Sequence, residues 1–303
     1  MLQKLLLLSI ASFFVFSLNA QENKVKKKKK KVIPPFKWVN ELPENRKIPG
    51  LSHKTFKSSS MGIDVGYCIY LPPQYEKESS KKFPVVYYLH GGRPGSETKS
   101  VRMANYVSKL MKSGKVKPMI YIFVNGGPMS HYNYPQKENG YGEDIFIKEL
   151  IPHIDSTYRT ISNKMGRGLE GFSQGGRGTA RIMFKHPHLF YSTSPGGGGF
   201  ATEKRISESE GKESEKVVFA KGYNAYDLAR EFKKKDDQNL KILFHVGSKG
   251  FNYQNNLEYM KFMDSLGVKY EKVIVEGAEH SAAQIYDKEA LRIVKFHSDN
   301  LNK

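Results

Sequence analysis

Short runs of apolar residues alternate with amphipathic stretches along most of this chain, from about residue 61 onward. The run Phe83–Leu89 is continuously apolar, which is typical of a parallel strand buried on both faces of a sheet. Runs rich in β-branched and aromatic residues predict strands at 61–71, 83–89, 119–124, 190–195, 240–246 and 270–275. Helical spacing of apolar residues predicts helices at 101–111, 143–158, 177–186, 226–234, 256–266 and 289–297. This alternation predicts an α/β fold with a doubly wound, mostly parallel sheet in a single domain.

A glycine-rich stretch separates a short strand-like segment at 167–170 from the helix predicted to begin at 177. It contains Gly171-Phe172-Ser173-Gln174-Gly175, which has the pattern G-x-S-x-G. In α/β-hydrolases this pattern forms a sharp turn between a strand and a helix and exposes the serine at the carboxyl edge of the sheet. The two glycines let the strand and the helix approach each other without a clash of Cβ atoms. Taken alone, the pattern also fits an ordinary glycine-rich turn with an incidental serine.

The first fifty residues differ in composition from the rest of the chain. Lys4, the apolar run at 5–16 and the small residues before position 21 predict a signal peptide over residues 1–20. The apolar run is short for a spanning helix, so we expect no stable membrane insertion after cleavage and a secreted or periplasmic location. Residues 21–50 are predicted to form a lysine-rich disordered segment and a linker, or an extended arm across the domain. The folded domain is expected to occupy residues 51–303.

Charge and cysteine content narrow the possible classes of protein. Residues 1–31 hold eight lysines and one glutamate, which is a net charge of +7 out of +19 for the whole chain. Such a tract could bind nucleic acid or an acidic surface, but no nucleic-acid-binding motif occurs elsewhere, so a solvated tail is favoured. The single cysteine, Cys68, excludes an internal disulfide and a cysteine-rich metal site. No metal-ligand cluster is visible, and no cofactor is implied.

Four segments occur in an order and spacing that resembles the esterase D family of α/β-hydrolases, which includes feruloyl and acetyl-xylan esterases. The resemblance covers roughly residues 53–300, and it is more specific for the fold and family than for a substrate. The segments are Tyr-Leu-His-Gly-Gly (88–92), Glu-Leu-Ile-Pro-His-Ile-Asp-Ser-Thr-Tyr-Arg (149–159), Glu-Gly-Phe-Ser-Gln-Gly-Gly (170–176) and Glu-Gly-Ala-Glu-His (276–280).

The resemblance implies a serine esterase. Ser173 would attack an ester carbonyl, and a serine hydroxyl needs a base to do so. His280 follows the last predicted strand, where this fold places its base, and the order of serine before histidine is the one that this fold uses. The resemblance also implies an oxyanion hole that is formed by backbone N–H groups of Gly91, Gly92 and Gln174.

The chain departs from the family at the third catalytic position. Family members carry an aspartate in a G-x-x-D run after the strand that matches 240–246, and here Gly250 occupies that position. Without this carboxylate, His280 lacks the partner that fixes its tautomer. Three alternatives remain open: an amide of Asn252 or Asn255 orients His280, a carboxylate of Glu276 or Glu279 substitutes for the aspartate, or catalysis is lost.

The sequence therefore predicts a secreted serine carboxylic-ester hydrolase that acts on small-molecule or polysaccharide esters. The expected substrates are acetyl or feruloyl esters of carbohydrates. The alternative is a catalytically degenerate binding protein on the same fold, because the usual carboxylate is missing. Aromatic residues that could stack on a sugar or phenolic ring are Tyr132, Tyr134, Tyr141 and Phe251.

Overall fold

The computed structural model describes residues 35–201, 222–235 and 239–301. These residues belong to one compact unit that begins at Pro35. The predicted signal peptide and the lysine tract lie outside the described residues. So does nearly all of the stretch 201–217, which is charged, lacks apolar periodicity and is predicted from the sequence to be a surface insertion. No helix within the described ranges is long and apolar enough to cross a membrane.

The described strands form one eight-stranded sheet in the order β1-β2-β4-β3-β5-β6-β7-β8. The pairs β1–β2 and β2–β4 are antiparallel, and all other neighbouring strands are parallel. The sheet is therefore mostly parallel, as the sequence predicts. The strands are β1 (Leu51–Lys57), β2 (Asp64–Tyr70), β3 (Val85–Leu89), β4 (Ile120–Val124), β5 (Arg167–Phe172), β6 (Ser192–Gly196), β7 (Lys241–Gly247) and β8 (Glu271–Val275).

Helices pack on both faces of this sheet. They are α1 (Gln74–Lys77), α2 (Met103–Lys112), α3 (Gly142–Asp144), α4 (Ile151–Thr157), α5 (Gln174–Lys185), α6 (Ala225–Lys233), α7 (Tyr253–Ser265) and α8 (Ala282–Asn300). A π-helical segment (Ile145–Leu150) joins α3 to α4, and short 3₁₀ turns lie at Glu44–Arg46 and Lys164–Gly166.

The central strand β3 explains why its sequence is apolar throughout. Successive side chains of a strand point to opposite faces, so a strand between two helical layers needs apolar residues at every position. Val86 and Tyr88 pack in the core that contains α2 and α8. Val85 and Tyr87 pack on the other face, in the core that contains the segment from α3 to α4. All five residues of β3 are buried.

The main differences between predicted and observed elements are one strand that was not predicted and three of the predicted helices. Strand β1 was not predicted, because it is an edge strand whose residues are mostly exposed or half-buried. The helix predicted at 143–158 contains the π-helical segment, since Pro152 has no N–H with which to continue the α-helical ladder. Helix α7 begins at Tyr253 rather than 256. Helix α8 begins at Ala282 rather than 289, because Ser281 accepts a hydrogen bond from the Gln284 N–H and caps it.

Residues 35–50 pack on the domain as an arm. Trp38 is buried in the core on one face of the sheet. Its carbonyl accepts hydrogen bonds from Gly66 N–H and from the side-chain amide of Asn125. Asn40 donates two hydrogen bonds to the buried carboxylate of Glu97, at 2.7 and 2.9 Å. Of the two interpretations of this stretch, linker or arm, these contacts correspond to the arm.

Candidate active site

The loops that follow the parallel strands meet at one edge of the sheet, because parallel strands all end at the same side. The loop after β3 begins at His90, and the loop after β4 begins at Asn125. Ser173 follows β5 directly, and residues 248–252 follow β7. His280 lies in the loop between β8 and α8. The topology therefore gathers residues that lie up to 190 positions apart in the chain.

Ser173 occupies a strained turn between β5 and α5. Its backbone has φ 61° and ψ −115°, a conformation that residues other than glycine rarely adopt. The flanking glycines are required by close packing: a Cβ on Gly171 would lie 2.6 Å from the backbone of Gly175, and a Cβ on Gly175 would overlap the carbonyl oxygen of Leu89. These contacts hold the turn in place and leave the serine hydroxyl at its tip.

The side chains of Ser173, His280 and Asn252 form a hydrogen-bonded chain. Ser173 Oγ lies 2.9 Å from His280 Nε2. On the other side of the ring, His280 Nδ1 lies 3.1 Å from Asn252 Oδ1. The structure thus brings together the serine and the histidine that the sequence singled out, and it adds one of the candidates for the third position.

The orientation of the Asn252 amide is fixed by carbonyl groups. Its Nδ2 donates one hydrogen bond to the Gly197 carbonyl and a second, of 3.2 Å, to the Gly198 carbonyl. Carbonyl oxygens accept and never donate, so both protons of Nδ2 are used and Oδ1 must face His280. An oxygen there accepts a proton from Nδ1–H, which leaves Nε2 unprotonated and able to accept the proton of Ser173.

Two of the other candidates for the third position, Asn255 and Glu279, are engaged elsewhere. Asn255 Oδ1 accepts from the Phe200 N–H, and its Nδ2 donates to the Phe200 carbonyl. Glu279 pairs with the side chain of Gln284. Among the described residues, no hydrogen bond joins Glu276 or Glu279 to His280, so neither carboxylate substitutes for the aspartate that the family carries.

Asn256 completes this network and was not singled out from the sequence. Its Nδ2 donates to the carbonyls of Gly198 (2.7 Å) and Asn252 (2.8 Å), which holds the glycine run against the start of α7. Asn252, Asn255 and Asn256 have the i, i+3, i+4 spacing of one helical face. That spacing is the sequence signal that could have indicated a shared role.

Two phenyl rings contact the His280 imidazole. The ring centroid of Phe172 lies 4.9 Å from that of His280, and the centroid of Phe251 lies 4.3 Å from it. Burial lowers the pKa of His280, because the charged imidazolium loses hydration among apolar groups. The neutral amide of Asn252 brings no charge that would oppose this effect. His280 is therefore neutral at physiological pH, as a general base must be.

The loop after β3 packs against the serine. A Cβ on Gly91 would lie 3.2 Å from the Cβ of Ser173 and 3.1 Å from the Phe172 carbonyl oxygen, closer than most Cβ contacts, so glycine favours this approach. Gly92 has φ 68°, in the region that favours glycine. Gln174 opens α5, and its N–H is one of those at a helix start that have no acceptor within the helix. Gly91 and Gln174 thus lie at the Ser173 turn, and Gly92 follows Gly91 in the same loop.

The aromatic residues that were predicted to line a pocket occupy different environments. Tyr132 is fully buried, and the Arg181 guanidinium stacks 3.7 Å from the centre of its ring, so Tyr132 does not face an open site. Tyr134 is partly buried and packs against the small apolar cluster that contains Met129 and Tyr132. Tyr141 is 41% exposed and Phe251 is 82% exposed. Phe251 is the one of the four that also contacts a residue of the hydrogen-bonded chain.

The described residues contain no group of three or more histidine, cysteine, aspartate or glutamate side chains that could hold a metal ion. Cys68 is a buried free thiol in β2. Burial raises its pKa, so it remains a protonated packing group at neutral pH.

The fold is that of the α/β-hydrolases, and comparison with known proteins identifies the family. Residues 58–283 match the sequence profile of the family described as "Putative esterase". The chain therefore belongs to this esterase family, and the resemblance inferred from its four sequence segments is confirmed.

Two of its relatives are named esterases. Over 156 residues it is 29% identical to an esterase of Mycobacterium tuberculosis, a match that covers 50% of this chain and 33% of the relative. Over 148 residues it is 29% identical to an endo-1,4-beta-xylanase/feruloyl esterase of Xylanibacter ruminicola, covering 45% of this chain and 20% of that protein. The match thus spans a third or less of the length of these relatives.

Solved structures share the fold. A ferulic acid esterase superposes with a TM-score of 0.69 at 20% identity, and the match covers 83% of this chain and 98% of that one. An S-formylglutathione hydrolase from Staphylococcus aureus superposes with a TM-score of 0.66 at 18% identity, covering 82% and 98%. At these identities the similarity establishes the architecture and leaves the substrate open.

Proposed function

We propose that this protein is a carboxylic-ester hydrolase in which Ser173 is the nucleophile, His280 is the general base and Asn252 orients His280. The observation that carries the proposal is the chain of two hydrogen bonds from Ser173 Oγ through the imidazole to Asn252 Oδ1, at 2.9 and 3.1 Å. A nucleophile within reach of a base that is itself oriented by a third group is the signature of activated serine chemistry.

The proposed reaction has two halves. Ser173 Oγ forms a bond to the ester carbonyl carbon while its proton passes to His280 Nε2. The tetrahedral intermediate then collapses, the bond to the leaving oxygen breaks, and His280 returns its proton to the departing alcohol. A water molecule attacks the acyl-serine by the same route and releases the acid. In both halves the negative oxygen is stabilised by backbone N–H groups of Gln174 and of the Gly91–Gly92 loop.

An asparagine can serve at the third position only if its oxygen faces the histidine. In the trypsin-type triad, replacing the aspartate by asparagine lowers turnover about 10⁴-fold, because the imidazole then takes the wrong tautomer. Here the carbonyls of Gly197 and Gly198 hold Nδ2 away from His280. Papain-type proteases also use a Cys-His-Asn arrangement, so an amide at this position is compatible with catalysis. This argument favours the enzyme over the degenerate binding protein.

For the substrate we propose esters of carbohydrates with acetyl or feruloyl groups. Phe251 exposes its ring at the site and lies next to His280, where the face of a sugar or phenolic ring can stack on it. One relative carries feruloyl esterase in its name, and a ferulic acid esterase shares the fold. We also propose that residues 1–20 direct secretion, since such substrates lie outside the cell.

The test is hydrolysis of p-nitrophenyl acetate and of methyl ferulate by the purified protein and by Ser173→Ala. We expect turnover by the wild type, and a loss of turnover in the variant with an unchanged melting temperature. Phe251→Ala should raise KM for methyl ferulate more than for the acetate, because only the former offers a large ring. If the wild type and Ser173→Ala were equally inactive on a broad panel of esters, the protein would be a binding protein.

A further inference from the structure

Three consecutive carbonyls of the loop after β3 accept side-chain hydrogen bonds, two of them from the loop after β4 and one from within the loop itself. The His90 carbonyl accepts from His131 Nε2 at 3.0 Å. The Gly91 carbonyl accepts from the Nδ1 of His90 at 3.1 Å. The Gly92 carbonyl accepts from Ser130 Oγ at 2.6 Å. Every carbonyl of the segment 90–92 is therefore held by a side chain.

The tautomers of the two histidines follow from their partners. His90 Nε2 accepts from the N–H groups of Gly126 (3.2 Å) and Ser96 (3.4 Å), so its proton is on Nδ1 and points at the Gly91 carbonyl. His131 Nε2 faces a carbonyl, so its proton is on Nε2. Burial holds the pKa of both rings below the usual range, to about 3 for His131, and both are neutral.

Because the peptide group is planar, a carbonyl that is held in place also fixes the direction of the N–H group of the next residue. In a trans peptide the C=O and the N–H of the following residue point in opposite directions. Holding the His90 carbonyl against His131 therefore fixes the N–H of Gly91 on the opposite side, away from the loop after β4. The Gly91 carbonyl fixes the N–H of Gly92 in the same manner. Two adjacent glycines have the greatest backbone freedom of any dipeptide, so outside contacts are needed to keep such donors in place.

Ser130 and His131 themselves adopt unusual backbone conformations. Their φ values are 47° and 69°, in the left-handed region, which is unfavourable for residues other than glycine, asparagine and aspartate. Two hydrogen bonds to the His131 backbone maintain this conformation: its N–H donates to the Gly126 carbonyl at 2.6 Å, and its carbonyl accepts from the fully buried Arg181, which also pairs with Glu143. Backbone strain that the surrounding structure maintains is common at functional sites.

We propose that Ser130 and His131 are positioning residues for the oxyanion hole. Ser130 fixes the peptide plane after Gly92 and His131 fixes the plane before Gly91, so the two glycines are restrained at both ends while their N–H groups face the reacting oxygen beside Ser173. This inference rests on the proposed function, since an oxyanion hole has a role only if Ser173 attacks a carbonyl.

The test separates loss of positioning from loss of folding. Ser130→Gly removes the hydroxyl and suits the left-handed backbone, so it should fold. His131→Leu removes the donor, and His131→Gln retains an N–H donor at a similar reach. Asn139→Gly is the matched control, because Asn139 also has a positive φ (51°) in the same loop but lies outside the three hydrogen bonds. Each variant is checked by circular dichroism and its melting temperature.

We expect Ser130→Gly and His131→Leu to lower kcat on an aryl acetate about 10- to 100-fold, somewhat less than the loss of a whole oxyanion donor, with KM changed less than threefold. An aryl boronic acid, which forms a tetrahedral adduct on the serine, should bind more weakly by the same factor as kcat/KM falls. His131→Gln should recover most of the rate, and Asn139→Gly should match the wild type.

Three results would overturn the proposal. Wild-type kcat in folded Ser130→Gly and His131→Leu would show that the hydrogen bonds from Ser130 and His131 are not needed to position the oxyanion hole. A rise in KM with unchanged kcat and unchanged boronate affinity would assign these residues to ground-state binding. A wild type without turnover dependent on Ser173 would overturn the proposed function, and this inference with it.

Discussion

At the scale of single residues, the site depends on which atom of one amide faces the imidazole. Asn252 is isosteric with aspartate, yet it carries no charge. Its acceptor oxygen is directed by two glycine carbonyls rather than by its own chemistry. An amide at the third position therefore depends on the glycine run at 196–199 for its orientation, whereas a carboxylate, whose two oxygens both accept, would not.

The role of Asn252 predicts the effect of removing its amide. We expect Asn252→Ala to lower kcat by about 10²- to 10⁴-fold, because nothing then holds the Nδ1–H tautomer of His280. Asn255→Ala serves as the comparison, since Asn255 bonds to the Phe200 backbone and not to His280. Steady-state kinetics on an aryl acetate decide the point. An equal or larger loss in the Asn255 variant would show that the His280 partner has been misassigned.

Gly250 offers a second prediction, because a side chain at this position would lie beside Asn252 and His280. A Cβ at this position would lie 3.2 Å from the Gly247 carbonyl oxygen, 3.3 Å from Asn252 Oδ1 and 3.5 Å from the His280 backbone nitrogen, so these neighbours must shift slightly, and Gly250 does not have a positive φ. Gly250→Asp should therefore place a carboxylate beside the imidazole without backbone strain. A nearby negative charge favours the imidazolium, so the pKa of His280 should rise.

The sign of the resulting pH shift follows from the role of the base. Only neutral His280 accepts a proton, so kcat/KM rises with pH through the pKa of His280, which burial holds below its usual 6.5 in the wild type. In Gly250→Asp this rise should move to higher pH. The plateau kcat should increase by no more than about tenfold, since Asn252 already supplies the acceptor. Gly250→Asn is the uncharged control, and an identical shift in that variant would exclude a charge effect.

At the scale of elements, the turn between β5 and α5 depends on how closely the helix meets β3. The overlap between a Cβ at position 175 and the Leu89 carbonyl involves backbone, which cannot rotate away. Gly175→Ala should therefore destabilise the protein by about 3 kcal/mol or more. Gly178→Ala lies on the same helix, and its Cβ would meet side-chain atoms at 3.0 and 3.2 Å. That change should stay within about 1 kcal/mol, as helix propensity offsets the tighter contact. Urea unfolding of both variants measures the difference, and equal losses would contradict this account.

The sequence, together with the family resemblance, predicted most elements and two members of the candidate site. Ser173 was identified by its flanking glycines, and His280 by its position after the last strand. Asn252 remained one of several candidates, because the direction of an amide depends on carbonyls that lie 54 and 55 residues away. The left-handed conformations of Ser130 and His131 have no local signal at all, since neither residue type requires them. Strand β1 was missed because an exposed edge strand has no continuous apolar run.

At the scale of the whole molecule, one buried carboxyl makes stability depend on pH. Glu170 lies in β5, is fully buried, and has its Oε2 3.5 Å from His297 Nε2. Burial raises the pKa of Glu170 to about 8, against an ordinary value of 4.5, and lowers the pKa of His297 to about 3. Both groups are therefore uncharged in the folded protein at neutral pH.

The raised pKa of Glu170 determines the pH range over which this residue affects stability. Between pH 4.5 and about 8 the folded protein keeps a proton on Glu170 that the unfolded chain has released, so the contribution of Glu170 to stability falls as pH rises. Relative to the wild type, Glu170→Gln should gain up to about 1.4 kcal/mol per pH unit across this window and nothing further above it. Urea unfolding of both proteins at pH 5, 6.5 and 8 measures the difference. Parallel stability curves would show that Glu170 is already ionised in the folded state.

The uncharged third residue also changes the charge balance of the reaction that we propose. With aspartate, a serine–histidine–acid trio carries one negative charge before the attack. With Asn252, the trio is neutral at rest, and proton transfer produces one imidazolium and one oxyanion whose charges cancel. The reacting centre then behaves as a dipole, and the imidazolium has no fixed counterion among the described residues that contact it. A substrate with its own carboxylate near the leaving oxygen would supply that counterion, so such a site would discriminate between esters by their charge as well as by their shape.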